Sequence, residues 1–158
     1  MTEALRAVLR YATPLVFLAV IAQVAGAAYG AFYTADKLND QSGSDETKHV
    51  SEKVFDHGFG FHTAFGYIIF IAAVVLLLIA LGARMGRPRI WQYLALPILV
   101  AVQIVLAWIS EDVHGVGILH GINALVIFGL TGSLAFQQWR RRAVEADIAT
   151  TGGVTAPG

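Results

Sequence analysis

The chain has 158 residues, 56% hydrophobic and 14% charged, with 11 basic and 11 acidic side chains and a formal charge of zero. That balance excludes an ordinary soluble domain, fits a membrane protein, and offers no basic surface to nucleic acid. With no cysteine and two methionines, disulfides, zinc–thiolate and iron–sulfur centres, Cys-x-x-Cys-His attachment and Met-rich copper sites are excluded. Whatever the chain binds, it binds through nitrogen and oxygen.

A bilayer core about 30 Å thick takes roughly 20 apolar residues of helix. Four stretches qualify, at about 14–33, 59–81, 90–109 and 116–136, and none contains Asp, Glu, Lys or Arg. The expected fold is all-α: an integral-membrane antiparallel four-helix bundle made of two tandem helix hairpins, within residues 1–142. Residues 34–58 form a polar extracytoplasmic loop. Residues 143–158, rich in Ala, Gly and Thr, read as a disordered cytoplasmic tail.

The first apolar stretch follows MTEALRAVLR and could be taken for a cleaved signal. It runs on through Ala31 and Phe32, and cleavage would leave an odd number of spans, so it reads as a retained helix. Ala22, Gly26 and Gly30 lie four apart on one face of it, which lets another helix approach closely.

Positive charge orients the bundle. All eight arginines flank the spans on one side, in Arg6 and Arg10, Arg84 to Arg89, and Arg140 to Arg142. The three lysines and eight of the eleven acids fall on the other. Both termini are therefore expected in the cytoplasm, in a multi-pass protein of the cell membrane in contact with lipid.

The second span begins in DHGFGFHTAF and the fourth in VHGVGILHGINA. Each motif has a His-Gly-x-Gly opening, with a second histidine five residues on in one and six in the other: His57 and His62, then His114 and His120. The repetition suggests a tandem duplication of one hairpin. His62 and His120 lie about one turn into their helices, at similar depth below the outer surface. In up-down order their helices are diagonally opposed, so the two imidazoles can face each other across the interior. An ionisable group at such a depth is a functional candidate, because unpaired it is costly in hydrocarbon.

Around His62 stand Gly58 and Gly66, four residues either side; around His120 stand Gly117 and Ala124. Small neighbours leave clearance for a flat ligand held by both rings, with Phe59, Phe65 and Phe128 to flank it. Haem b fits, its iron accepting the two imidazoles as axial ligands. The competing explanation of the glycines is close helix packing alone. Five and six residues before the inner pair, His57 and His114 would point away from it on a continuous helix. They belong at the membrane interface, as water-exposed side chains or as neighbours of a porphyrin's propionates, a proton relay or an outer metal site; His49 reads as a loop residue.

Gln23, Gln103 and Asn123 are the other polar groups inside spans, expected to make interhelical hydrogen bonds worth about 1 kcal/mol each. Asn123 could instead orient a ligand or a quinone headgroup. Trp91, Tyr93, Trp108 and Trp139 sit at span ends as interfacial aromatics do.

FHTAFGYIIF in the second span and QIVLAWISEDVHGVGILHGINALVIFG through the third and fourth resemble one four-helix half of the haem A synthase family. They are also similar to small uncharacterised four-helix membrane proteins of actinobacteria. The likeness covers about residues 58–129. It implies that His62 and His120 match the axial haem ligands of one bundle. The chain has only one half and no cysteine pair in its outer loop, so the family's enzymatic activity is not carried over.

Three functions stay open on sequence. A bis-histidine b-type haem protein near the outer face suits electron transfer with a quinone or an extracytoplasmic redox partner. A non-haem zinc, copper or iron site would draw on His57, His62, His114 and His120 together. A cofactor-free accessory subunit would use its histidines only to join helices.

Overall fold

A computed structural model describes residues 2–40 and 52–151; His49 lies outside them. The chain forms four helices: α1 Thr2–Asp40, α2 Glu52–Gly82, α3 Arg87–Asp112 and α4 Val116–Thr151. All four include stretches long and apolar enough to cross a membrane, making this a multi-pass membrane protein, and no strand occurs among the described residues.

The helices outrun the hydrophobic spans. α1 continues to Asp40 and α2 begins at Glu52, so much of the stretch read as an outer loop is helical. α4 likewise carries on to Thr151, into the stretch read as a disordered tail, and residues 152–158 fall outside the described residues. Hydropathy marks only the part of a helix that sits in hydrocarbon. Once nucleated, a helix extends at little further cost through polar residues.

Between α2 and α3 the chain turns on Arg84, the one described non-glycine residue with positive φ, at 50°. Met85 N–H donates to Ala80 O at 3.2 Å and Arg84 N–H to Leu81 O at 3.0 Å, the paired bonds that close a helix C-terminus. Pro88 then opens α3, where its missing N–H costs nothing.

α1 and α3 each pack on both α2 and α4. No described Cα of α1 comes within 8 Å of α3, nor any of α2 within 8 Å of α4. The bundle is thus a square, with α2 and α4 on one diagonal.

Its two ends differ. Towards the arginines the square is filled by Leu9, Val16 and Val20, Ile69, Ala73 and Leu76, Leu96 and Val100, and Ile127 and Leu134, all buried. Tyr93 is fully buried there too. Its hydroxyl lies 3.0 Å from Thr13 Oγ1 and accepts from Gln138 Nε2 at 3.1 Å. This corrects the reading of Tyr93 as an interfacial aromatic, whereas Trp91, Trp108 and Trp139 are exposed. A phenol can be buried because two polar partners meet it. Phe17 adds an α1–α4 contact, with its ring 5.3 Å from that of Phe128.

Above Val20, Ile69, Val100 and Ile127, Gly30 and Gly58 are the only buried residues among those described. The filled core stops short of the histidines.

Candidate functional site: a facing histidine pair

Gln and His build each half of the site in the same way. In the first hairpin, Gln23 on α1 donates its side-chain Nε2 to the backbone oxygen of His62 on α2. In return, His62 Nδ1 lies 3.0 Å from the backbone oxygen of Gln23. In the second hairpin, Gln103 Nε2 on α3 donates to His120 O at 3.0 Å, and His120 Nδ1 lies 3.2 Å from Gln103 O. Two residues clasp two helices, twice over.

A carbonyl oxygen only accepts, so Nδ1 of each ring carries a hydrogen in this arrangement, and in a neutral ring the lone pair is then on Nε2. An imidazole held by Nδ1–H on a carbonyl has the tautomer and orientation of a metal ligand. Both rings are half-buried. Their centroids are 6.4 Å apart with planes at 60°, edge to face, so the two rings are neighbours across the α2–α4 diagonal.

Beyond the clasp the halves diverge. Asn123, one turn below His120, donates Nδ2 to Gln103 Oε1 at 2.7 Å and to Leu99 O at 2.9 Å. Its amide nitrogen is engaged with α3, the interhelical hydrogen bonding expected of it. The residue at the same offset from His62 is Phe65, which has no polar atom to give. Gln23 Oε1 accordingly stays buried without a hydrogen-bond partner.

The glycines do not serve one purpose. A Cβ on Gly58 would lie 3.1 Å from Gly30 O, and one on Gly30 would lie 2.7–2.8 Å from the Phe59 ring and 2.8 Å from Gly58 O. A Cβ on Gly66 would stand 3.1 Å from Gln23 Nε2. The bare backbone at Gly58 and Gly66 therefore admits α1, which corrects the reading that these two clear a ligand. The small face at Gly26 and Gly30 is where α2 arrives, with Phe61 and Phe59 against it. Gly117 differs: a Cβ there would meet nothing within 4 Å. Ala124 is half-buried.

Of the expected aromatic flank, Phe59 meets His62 edge-on with centroids 6.4 Å apart. Phe65 stacks on Phe61 at 5.0 Å, and Phe128 is occupied with Phe17. His57 is exposed, its ring 4.8 Å from that of Tyr33; His114 is exposed in the α3–α4 turn. Among the described residues no three His, Cys, Asp or Glu side chains converge in a group able to hold an ion. The four-histidine arrangement, which needed the helix starts to unwind, is not formed.

Compared with protein-family models, curated proteins and solved structures, the chain matches none. The site's chemistry rests on the residues alone. The glutamine partners were visible in the sequence only as polar residues at mid-span. What marks them is that each lies in the first helix of a hairpin whose second helix carries the deep histidine.

Proposed function

We propose that the protein is a b-type haem protein of the cell membrane, with His62 and His120 as axial ligands and electron transfer as its role. In this reading the helices alternate in direction, both termini face the cytoplasm and the histidines lie towards the outer face. Arginines gathered at one end of the square support that orientation.

The ring spacing carries the proposal. With a metal–imidazole bond of about 2.0–2.1 Å and the ring centroid roughly 1.2 Å behind the nitrogen, two trans imidazoles stand about 6.4 Å apart. The rings stand at 6.4 Å. Two imidazoles with no third His, Cys, Asp or Glu converging on them among the described residues suit a metal whose macrocycle supplies the other donors. A bare zinc ion, by contrast, asks for four. A core that stops below the rings and the absence of any α2–α4 approach within 8 Å among the described Cα atoms suit a flat, apolar guest.

Haem iron held by both His62 and His120 would have no position left for a substrate, so the chemistry it would supply is electron exchange. What the chain's own residues do is hold two imidazoles by Nδ1, each with Nε2 not engaged in that bond, at a fixed separation. A site near the outer face suits a quinone or an extracytoplasmic redox protein as partner.

The cofactor-free accessory role draws on one observation: each imidazole already meets a carbonyl within its own hairpin. Absorbance of the purified protein before and after dithionite separates the two. A sharp, split band in the reduced protein, lost in both His62→Ala and His120→Ala, is expected. Colourless protein that takes up no haem on reconstitution supports the accessory role instead.

A further inference from the structure

At the end of the bundle away from the histidines, three arginines from three elements share one pocket. Arg6 comes from the start of α1, Arg84 from the α2–α3 turn and Arg89 from the first turn of α3. With Met85, Gly86 and Pro88 they line a volume of about 390 Å³, and no Asp or Glu lines it. By sequence this end holds all eight arginines and three of the eleven acids, Glu3, Glu145 and Asp147. Like charges around one hollow repel unless an anion shares it.

The arginines are positioned rather than merely numerous. Arg6 donates Nε to Ala83 O at 3.3 Å, which fixes its guanidinium against the turn and leaves both Nη groups outside that bond. Arg84 stands at φ 50°, a conformation that glycine adopts at lower cost. Its backbone is thus held in a costly state for a side chain that glycine would not supply. α3 opens at Gly86 without a side-chain cap, so the positive end of its dipole lies at the same place. Arg6 and Arg84 are exposed and Arg89 is half-buried, so the pocket opens outward.

It opens at the level where the spans end. Leu81, three residues before Arg84, and Trp91, two after Arg89, are both exposed, as side chains at a bilayer interface are. That is the level of lipid phosphates. We infer that this pocket binds the phosphate of an anionic phospholipid, with Arg6, Arg84 and Arg89 donating to its oxygens. A zwitterionic headgroup suits it less, because its ammonium meets arginines and no carboxylate. The site stands apart from the ligation proposed above and does not depend on it.

The test titrates the full-length protein in detergent with dioleoyl phosphatidylglycerol, dioleoyl phosphatidylcholine and inorganic phosphate, and native mass spectrometry counts what is bound. One phosphatidylglycerol per chain is expected, held more tightly than phosphatidylcholine and not displaced by millimolar phosphate. Arg84→Gly removes the charge and suits the backbone at φ 50°, so the fold is kept. It should weaken phosphatidylglycerol binding about fivefold, the factor for one arginine near a lipid surface. Arg6→Gln should do the same, while Arg84→Lys retains most of the affinity. Arg140→Gln, on α4 outside the pocket with its guanidinium over Phe136, should leave binding unchanged. Equal affinity for the two lipids overturns the inference, as does an equal loss in Arg140→Gln and Arg84→Gly, which means general attraction to the arginine end. Displacement of the lipid by inorganic phosphate also overturns it, making the pocket a site for free anions.

Discussion

The two hairpins solve one problem with different surroundings. Each joins its helices by the same reciprocal pair of bonds between a glutamine and a histidine. In the second hairpin Asn123 completes the glutamine's hydrogen bonding. In the first, Phe65 takes that place, Gln23 Oε1 is left over, and close glycine packing between α1 and α2 holds the helices instead. The shared part fixes the imidazoles, so it is the part on which the proposed ligation depends. The variable part is how each pair of helices is glued.

The largest effects should therefore be the same in both halves. His62→Ala and His120→Ala should each abolish six-coordinate haem binding, measured by titration of the apoprotein. A variant that retained wild-type affinity would mean its half is not a ligand donor. Next come the glycines, where the halves should part. Gly30→Ala puts a Cβ against Phe59 and Gly58 O and should cost about 1–3 kcal/mol, as overpacking does. Gly117→Ala meets nothing within 4 Å and should change stability by no more than about 0.5 kcal/mol. Unfolding in mild detergent measures both, and equal losses would mean that the packing asymmetry is not real.

Much of this was legible in the sequence, for identifiable reasons. Four charge-free apolar runs and one-sided arginines give the spans, because hydrocarbon tolerates little else. The facing of His62 and His120 follows from their equal depth in alternate helices. The Gln–His clasps were hidden because 39 residues separate the partners in one half and 17 in the other. Only the register of neighbouring helices brings them together. Gly58 and Gly66 were misassigned because a bare helix face can admit a ligand or a neighbouring helix, and spacing alone does not say which. Tyr93 sits close to a span end in sequence, but Thr13 and Gln138 draw its hydroxyl into the core.

Smaller effects probe the glue itself. Asn123→Leu leaves Gln103 Oε1 as bare as Gln23 Oε1 and should cost about 1 kcal/mol in the same unfolding assay. Phe65→Asn offers Gln23 the missing donor but gives up the stacking on Phe61, so its net change should be smaller than that of Asn123→Leu. If Asn123→Leu costs nothing, the difference between the clasps has no energetic weight. Smallest of all, His114→Ala removes an exposed turn residue and should leave haem affinity and stability unchanged. A marked loss of haem there would place His114 in the site.

The claim on which the rest depends is that both imidazoles bind one iron from opposite sides. Electron paramagnetic resonance of the ferric, haem-loaded protein tests it most directly. A low-spin signal of two neutral imidazole ligands is predicted, giving way to a high-spin signal or to loss of haem when either His62 or His120 becomes Ala. A high-spin signal in the wild type, or a low-spin signal unchanged in either variant, would contradict it.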